Sequence, residues 1–163
     1  MEIKSLFEYN WYCRRKFLEG MAKLPWERVV ESRGASFESM RNVFLHSLEA
    51  EQGLLRIIAK TGEWPRHDYE RDFKDIEAMR KYVGEVEAES KAYFSKLGPG
   101  DLDRLTPYGK TKAQVRVEDM LMHVVEEEIH HRGELICLMW QMDSEPPYAS
   151  YTEYVKARAA KGA

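Results

Sequence analysis

Apolar residues recur every three or four positions along four long stretches of this chain. That spacing constrains the fold more than any other feature, because it lays one greasy stripe along a helix and cannot do so along a strand. The first stretch, residues 3 to 23, carries Ile3, Leu6, Phe7, Trp11, Phe17, Leu18 and Met21. Pro25 and Gly34 break the pattern, and Ser36 is a candidate N-cap for the second helix. Its stripe runs through Phe37, Met40, Val43, Phe44, Leu48, Leu54, Leu55 and Ile58, and Gly62 and Pro65 end it. A third stretch near 71 to 97 includes Phe73, Ile76, Met79, Tyr82, Val83, Val86, Tyr93, Phe94 and Leu97, before Gly98-Pro99-Gly100. The fourth runs from about Val117 to Met142, with Pro146-Pro147 beyond it. A short tail helix is predicted over 149 to 160.

Residues 101 to 116 read differently. Thr106-Pro107-Tyr108-Gly109-Lys110 is a turn signal, and its flanks suit a short hairpin or an extended link. The expectation is an all-α protein, a four-helix bundle with a short hairpin or extended link before the last long helix. The longer link at that point suggests a crossover there. At 163 residues, with no internal repeat, the chain is expected to form a single domain, 1–163.

Composition excludes several roles. The formal net charge is -3, so no global positive field attracts nucleic acid. No apolar run approaches the roughly 20 residues that span a bilayer, and the N-terminus lacks the apolar core of a signal peptide. The two cysteines, Cys13 and Cys137, form no CxxC pair and read as reduced thiols, which points to the cytoplasm.

The fourth stretch carries the chemistry: MLMHVVEEEIHHRGELICLMW. On a helical wheel of about 100° per residue, Met120, Val124, Leu135, Leu138 and Met142 define the apolar side, and Glu127 and His131 fall in the same sector. His123 and Glu134 lie at its edge, with His130 and Cys137 further round. The flanking acids of Glu126-Glu127-Glu128 read as solvated. A carboxylate and an imidazole on a core face are costly without a partner, and a bound cation supplies one. Glu-x-x-x-His places two donor atoms on one helical face, and His46, the lone histidine of the second stretch, offers a third. The alternatives are a core-edge His46 bonded to a carbonyl, and a Glu127 paired with His131 or Arg132. His123 is a candidate alternate ligand or outer partner, and Glu51 a candidate general base or an inter-helix hydrogen-bonding carboxylate.

The strings LFEYNWYCRRKFLEGMAKLP, SMRNVFLHSLEAEQ and MLMHVVEEEIHHRGEL, followed by Pro-Pro, together resemble the DinB-like (damage-inducible) family of metal-dependent four-helix-bundle proteins. The specific parts are the lone His of the second helix and the HHRG string. The resemblance implies a homodimer and one divalent ion, Zn or Ni, held by a second-helix His and a His-x-x-x-His pair on the last helix. Carried over by position, it implies ligands at His46 and His131, with Glu127 standing where the family has its first His of the pair. A carboxylate there lowers the charge of the site by one unit and makes Fe or Mn more suitable than three imidazoles do. The resemblance also implies a thiol S-transferase or detoxification enzyme acting with a small-molecule thiol. The alternatives are a metal-assisted hydrolase and a non-catalytic metal-binding stress-response bundle. No nucleic-acid or membrane partner is expected.

Overall fold

The computed structural model describes residues 2–109 and 112–161. Four long helices carry the fold: α1 (Ile3–Met21), α3 (Met40–Ala59), α5 (Ile76–Phe94) and α6 (Val117–Trp140). Three shorter ones join them: α2 (Trp26–Val30), α4 (Tyr69–Asp72) and α7 (Tyr151–Lys161). The hairpin expected before the last long helix is present. Strands β1 (Leu105–Tyr108) and β2 (Ala113–Arg116) pair antiparallel, with Leu105 opposite Arg116 and Tyr108 opposite Ala113. No described helix is long and apolar enough to cross a membrane.

The long helices form a ring in which α3 packs on α6 and α5, and α1 packs on α6 and α5. Two apolar clusters fill it. One gathers the C-terminal half of α1, the start of α3, the start of α5 and the end of α6, through Phe17, Val43, Phe44, Met79, Val83 and Leu138. The other gathers the opposite ends, through Phe7, Leu54, Ile58, Phe94, Val117 and Leu121. These groupings make α1 run alongside α6 in the same direction, with α3 and α5 opposed to both. The chain must therefore travel the length of the bundle between α3 and α5. The lengthwise crossover lies in residues 60–75, not in the hairpin link where it was expected. That crossover is pinned as it goes: Glu49 accepts hydrogen bonds from the His67 amide (3.3 Å) and from the Tyr69 hydroxyl (2.7 Å).

Several boundaries differ from the periodic reading, each for a local reason. Ser39, not Ser36, caps α3, accepting from the Asn42 amide at 3.3 Å. The third stretch is two helices, because Asp75 caps a fresh start by accepting from the Ala78 amide at 2.8 Å. Between α2 and α3, residues 31–39 form a tight strap. Its backbone reverses through an Ala35–Glu38 bridge, with Gly34 (φ 69°) and Glu38 (φ 70°) in the left-handed region.

A polar layer separates the two apolar clusters. Arg14, fully buried on α1, sits between Trp11 and Phe17 of the same stripe. Its guanidinium donates to Glu51 of α3 (2.6 Å) and to Glu128 of α6 (2.7 Å). Burial alone would disfavour the charged guanidinium, but the two carboxylates more than reverse this and hold it ionised. Glu51 also accepts from the Trp11 indole N–H (2.9 Å) and from the Ser90 hydroxyl, so α1, α3, α5 and α6 all join the layer. This corrects the view of Glu128 as solvated: it is buried, because α6 turns it toward Arg14.

Candidate metal centre

The centre lies at the seam between α3 and α6, beside the polar layer. His46 is one residue from Ser47 on the buried side of α3, and Glu127 and His131 stand one turn apart on α6. Their side chains meet across the seam. Glu127 Oε2 is 3.5 Å from His46 Nε2 and 3.4 Å from His131 Nε2. The imidazole rings lie 5.0 Å apart, nearly perpendicular. One donor atom from each of the three residues falls within 4.8 Å of the others.

These separations fit a shared cation better than a proton-sharing pair. Charge-assisted N–H···O bonds are usually about 2.7–2.9 Å long. Two donors each bound at about 2.1 Å on a tetrahedral ion stand roughly 3.4 Å apart. The tautomer reinforces this. His131 Nδ1 is 3.2 Å from Glu134 Oε2, and an ionised carboxylate only accepts. Nδ1 therefore carries the proton, and in the neutral ring Nε2 turns a lone pair toward another carboxylate oxygen. A positive ion between them relieves that opposition. The residues present thus fit a divalent metal, and two nitrogens with one oxygen are a donor set that Zn, Ni, Fe and Mn all accept.

The surroundings differ on the two sides. His131 is buried, while the side chains of His46 and Glu127 each keep 24% of their surface exposed. Phe37 of the strap stacks on the His46 ring at 3.8 Å between centroids and 19° between planes, and meets His131 edge-on at 5.4 Å. Burial, and then the neighbouring His131, push the His46 ionisation below its usual value, so the ring is kept neutral and able to ligate. Glu134 accepts from the Ser36 amide (2.6 Å) and the Ser36 hydroxyl (2.7 Å). Burial alone would raise its pKa, but the Ser36 and His131 bonds overcome this and hold it below the usual carboxylate value.

The other residues singled out in the sequence are placed as follows. His123 lies on the exposed rim, with Nε2 4.0 Å from the second oxygen of Glu127 and Nδ1 3.6 Å from Glu126. With those two acids it forms a second, more exposed donor group sharing Glu127. Glu51 lies in the core, its oxygens taken by Arg14, Trp11 and Ser90. His130 and Cys137 are exposed and Cys13 is buried, with both thiols free. Sequence reasoning missed Arg14, Ser36 and Phe37. A charge inside the apolar stripe of α1 was the available signal for Arg14. Phe37 reads as the first residue of the second helical stripe but lies in the strap ahead of α3, no periodic signal marks Ser36, and the roles of both depend on how the strap folds back.

Fold and site together define a helical bundle with a candidate two-histidine, one-carboxylate metal centre between two of its long helices. The sequence profile of the DinB family matches residues 1–162, and the chain belongs to that family. It is also similar to the uncharacterized protein YizA of Bacillus subtilis (strain 168), at 22% identity over 161 residues, which cover 91% of this chain and 93% of that one.

Proposed function

We propose that the protein holds one divalent metal ion through His46, Glu127 and His131, and that it is a metal-dependent enzyme transferring a low-molecular-weight thiol to an electrophilic small molecule. The observation that supports the metal most is the pair of 3.4 and 3.5 Å separations between one carboxylate oxygen and two imidazole nitrogens, and the transferase reading rests on membership of the DinB family. When bound, such an ion acts as a Lewis acid that lowers the pKa of a thiol or water beside it. The chain's own residues divide the remaining work. Glu134 holds the His131 proton on Nδ1, so Nε2 faces the site. Phe37 covers one face of His46 and excludes water from it. The exposed edges of His46 and Glu127 leave a side from which a small thiol can enter, which favours an open, catalytic coordination over a closed structural one. His123, on that rim, lies beside the candidate ligand Glu127 as an outer partner. Glu51 serves the fold as an inter-helix carboxylate under this reading.

The assay is a panel of low-molecular-weight thiols with an electrophilic acceptor, run on metal-loaded wild type and on His46→Ala. The proposal expects thiol-dependent turnover that His46→Ala abolishes. Metal uptake without turnover for any thiol contradicts the transferase reading. Family membership also leads us to expect a homodimer, and a monomer by light scattering at micromolar concentration contradicts that.

A further inference from the structure

We propose that Glu134 is a positioning residue that couples the 31–39 strap to the metal centre, so that closing the strap and binding the ion strengthen one another. The inference rests on the metal reading above. Its basis is one carboxylate with two clients. Glu134 Oε2 accepts from His131 Nδ1 and from the Ser36 hydroxyl, while Oε1 accepts from the Ser36 amide. Among the described residues, those two Ser36 contacts are the only hydrogen bonds from residues 31–38 to another element. Apart from them, the strap is held by apolar packing of Ala35 and Phe37.

The strap in turn sets the second imidazole. With Ser36 docked on Glu134, Phe37 lies flat on His46 and edge-on to His131. One anchor therefore presets both nitrogen ligands, through a hydrogen bond on one side and a stacked ring on the other. Coordination at His131 Nε2 draws electron density from the ring and makes Nδ1–H a stronger donor to Glu134. The carboxylate that this bond steadies is the strap's anchor. Linkage then requires the effect to run both ways: an ion that favours the closed strap is bound more tightly when the strap is closed.

Zinc alone is the probe, and wild type, Glu134→Gln and Ser36→Ala are the proteins. Zinc affinity is read by competition with a chromogenic chelator. Strap closure is read by the rate of tryptic cleavage after Arg33, with and without zinc. In wild type, zinc slows that cleavage. In Glu134→Gln, zinc affinity falls about 10- to 100-fold, the range for an outer partner of a ligating histidine. The protection by zinc also disappears. Ser36→Ala keeps the His131 contact and the fold. It loses one strap contact, so cleavage speeds up and zinc affinity falls by a smaller factor, about two- to tenfold. A residue that merely stabilised the fold would speed cleavage equally with and without zinc and leave the protection ratio unchanged. That ratio staying at its wild-type value in both variants, with wild-type zinc affinity, overturns the coupling and leaves the metal centre standing. Failure of wild type to take up zinc or any other divalent ion overturns the metal reading, and the coupling with it.

Discussion

Replacing Arg14 with methionine tests the polar layer that separates the two halves of the core. The side chain is fully buried and bonded to two carboxylates from different helices. Methionine keeps most of the volume and removes the charge. Glu51 would still receive the Trp11 indole and the Ser90 hydroxyl. Glu128 would lose both of its Arg14 contacts, at 2.7 and 3.4 Å, and stand in the core as an unpaired anion. Breaking a buried pair by removing one partner costs about 3–5 kcal/mol. For a chain of this size, each kcal/mol shifts the melting temperature by about 2–4 °C, so Arg14→Met should melt roughly 6–20 °C lower. Arg14→Met combined with Glu128→Met removes the stranded anion as well, and should recover more than half of that loss. Chemical denaturation and thermal melts followed by circular dichroism measure both. A loss under about 1 kcal/mol for Arg14→Met, or a double variant no more stable than the single one, would refute the reasoning.

Three further outcomes follow from other parts of the structure. Glu89 of α5 accepts from Arg56 and Gln52 of α3; burial alone would raise its pKa, but those bonds hold it below the usual carboxylate value. A carboxyl depressed on folding stabilises the protein above its unfolded value and loses that contribution as pH falls through the folded one. The clamp should therefore be intact at neutral pH and weaken only as the pH falls below the usual carboxylate range, and Glu89→Gln should flatten that part of the stability profile. A Cβ added at Gly53 would lie 2.5 Å from the Trp64 ring, so Gly53→Ala should dislodge the start of the crossover and shift Trp64 fluorescence toward that of a solvated indole. Glu127→Gln keeps the shape of the third candidate ligand and removes its charge. It should weaken divalent-metal binding by at least tenfold in a calorimetric titration while leaving the melting temperature of the metal-free protein nearly unchanged, and equal affinity would exclude Glu127 as a ligand.

Much of this was legible in the chain because helices write their buried faces into the sequence. The stripes of α1, α3, α5 and α6 gave the four long elements, and the turn signal at 106–110 gave the hairpin, although Thr106, Pro107 and Tyr108 lie in strand β1 and Lys110 lies outside the described residues. The wheel of α6 put His131 and Glu127 on the side facing α3, and the lone His46 completed the set. Less was legible where long-range contacts override local signals. Ser36 looks like a cap by type and position, yet Ser39 is placed to bond the Asn42 amide, and Ser36 is drawn to Glu134, 98 residues away. Glu128 looks solvated beside two other acids, because the charge that makes its burial tolerable is 114 residues away on α1. The route of the crossover depends on which helix ends share a cluster, and periodicity carries no direction.

The claim on which the rest depends is that His46, Glu127 and His131 hold a metal ion. Elemental analysis of gently purified protein, with calorimetric titration of the metal-free form, tests it most directly. The account predicts close to one divalent transition-metal ion per chain in wild type, and its loss in both His46→Ala and His131→Ala. A wild-type protein that carries none and takes none up on titration, or variants that keep it undiminished, would contradict the account.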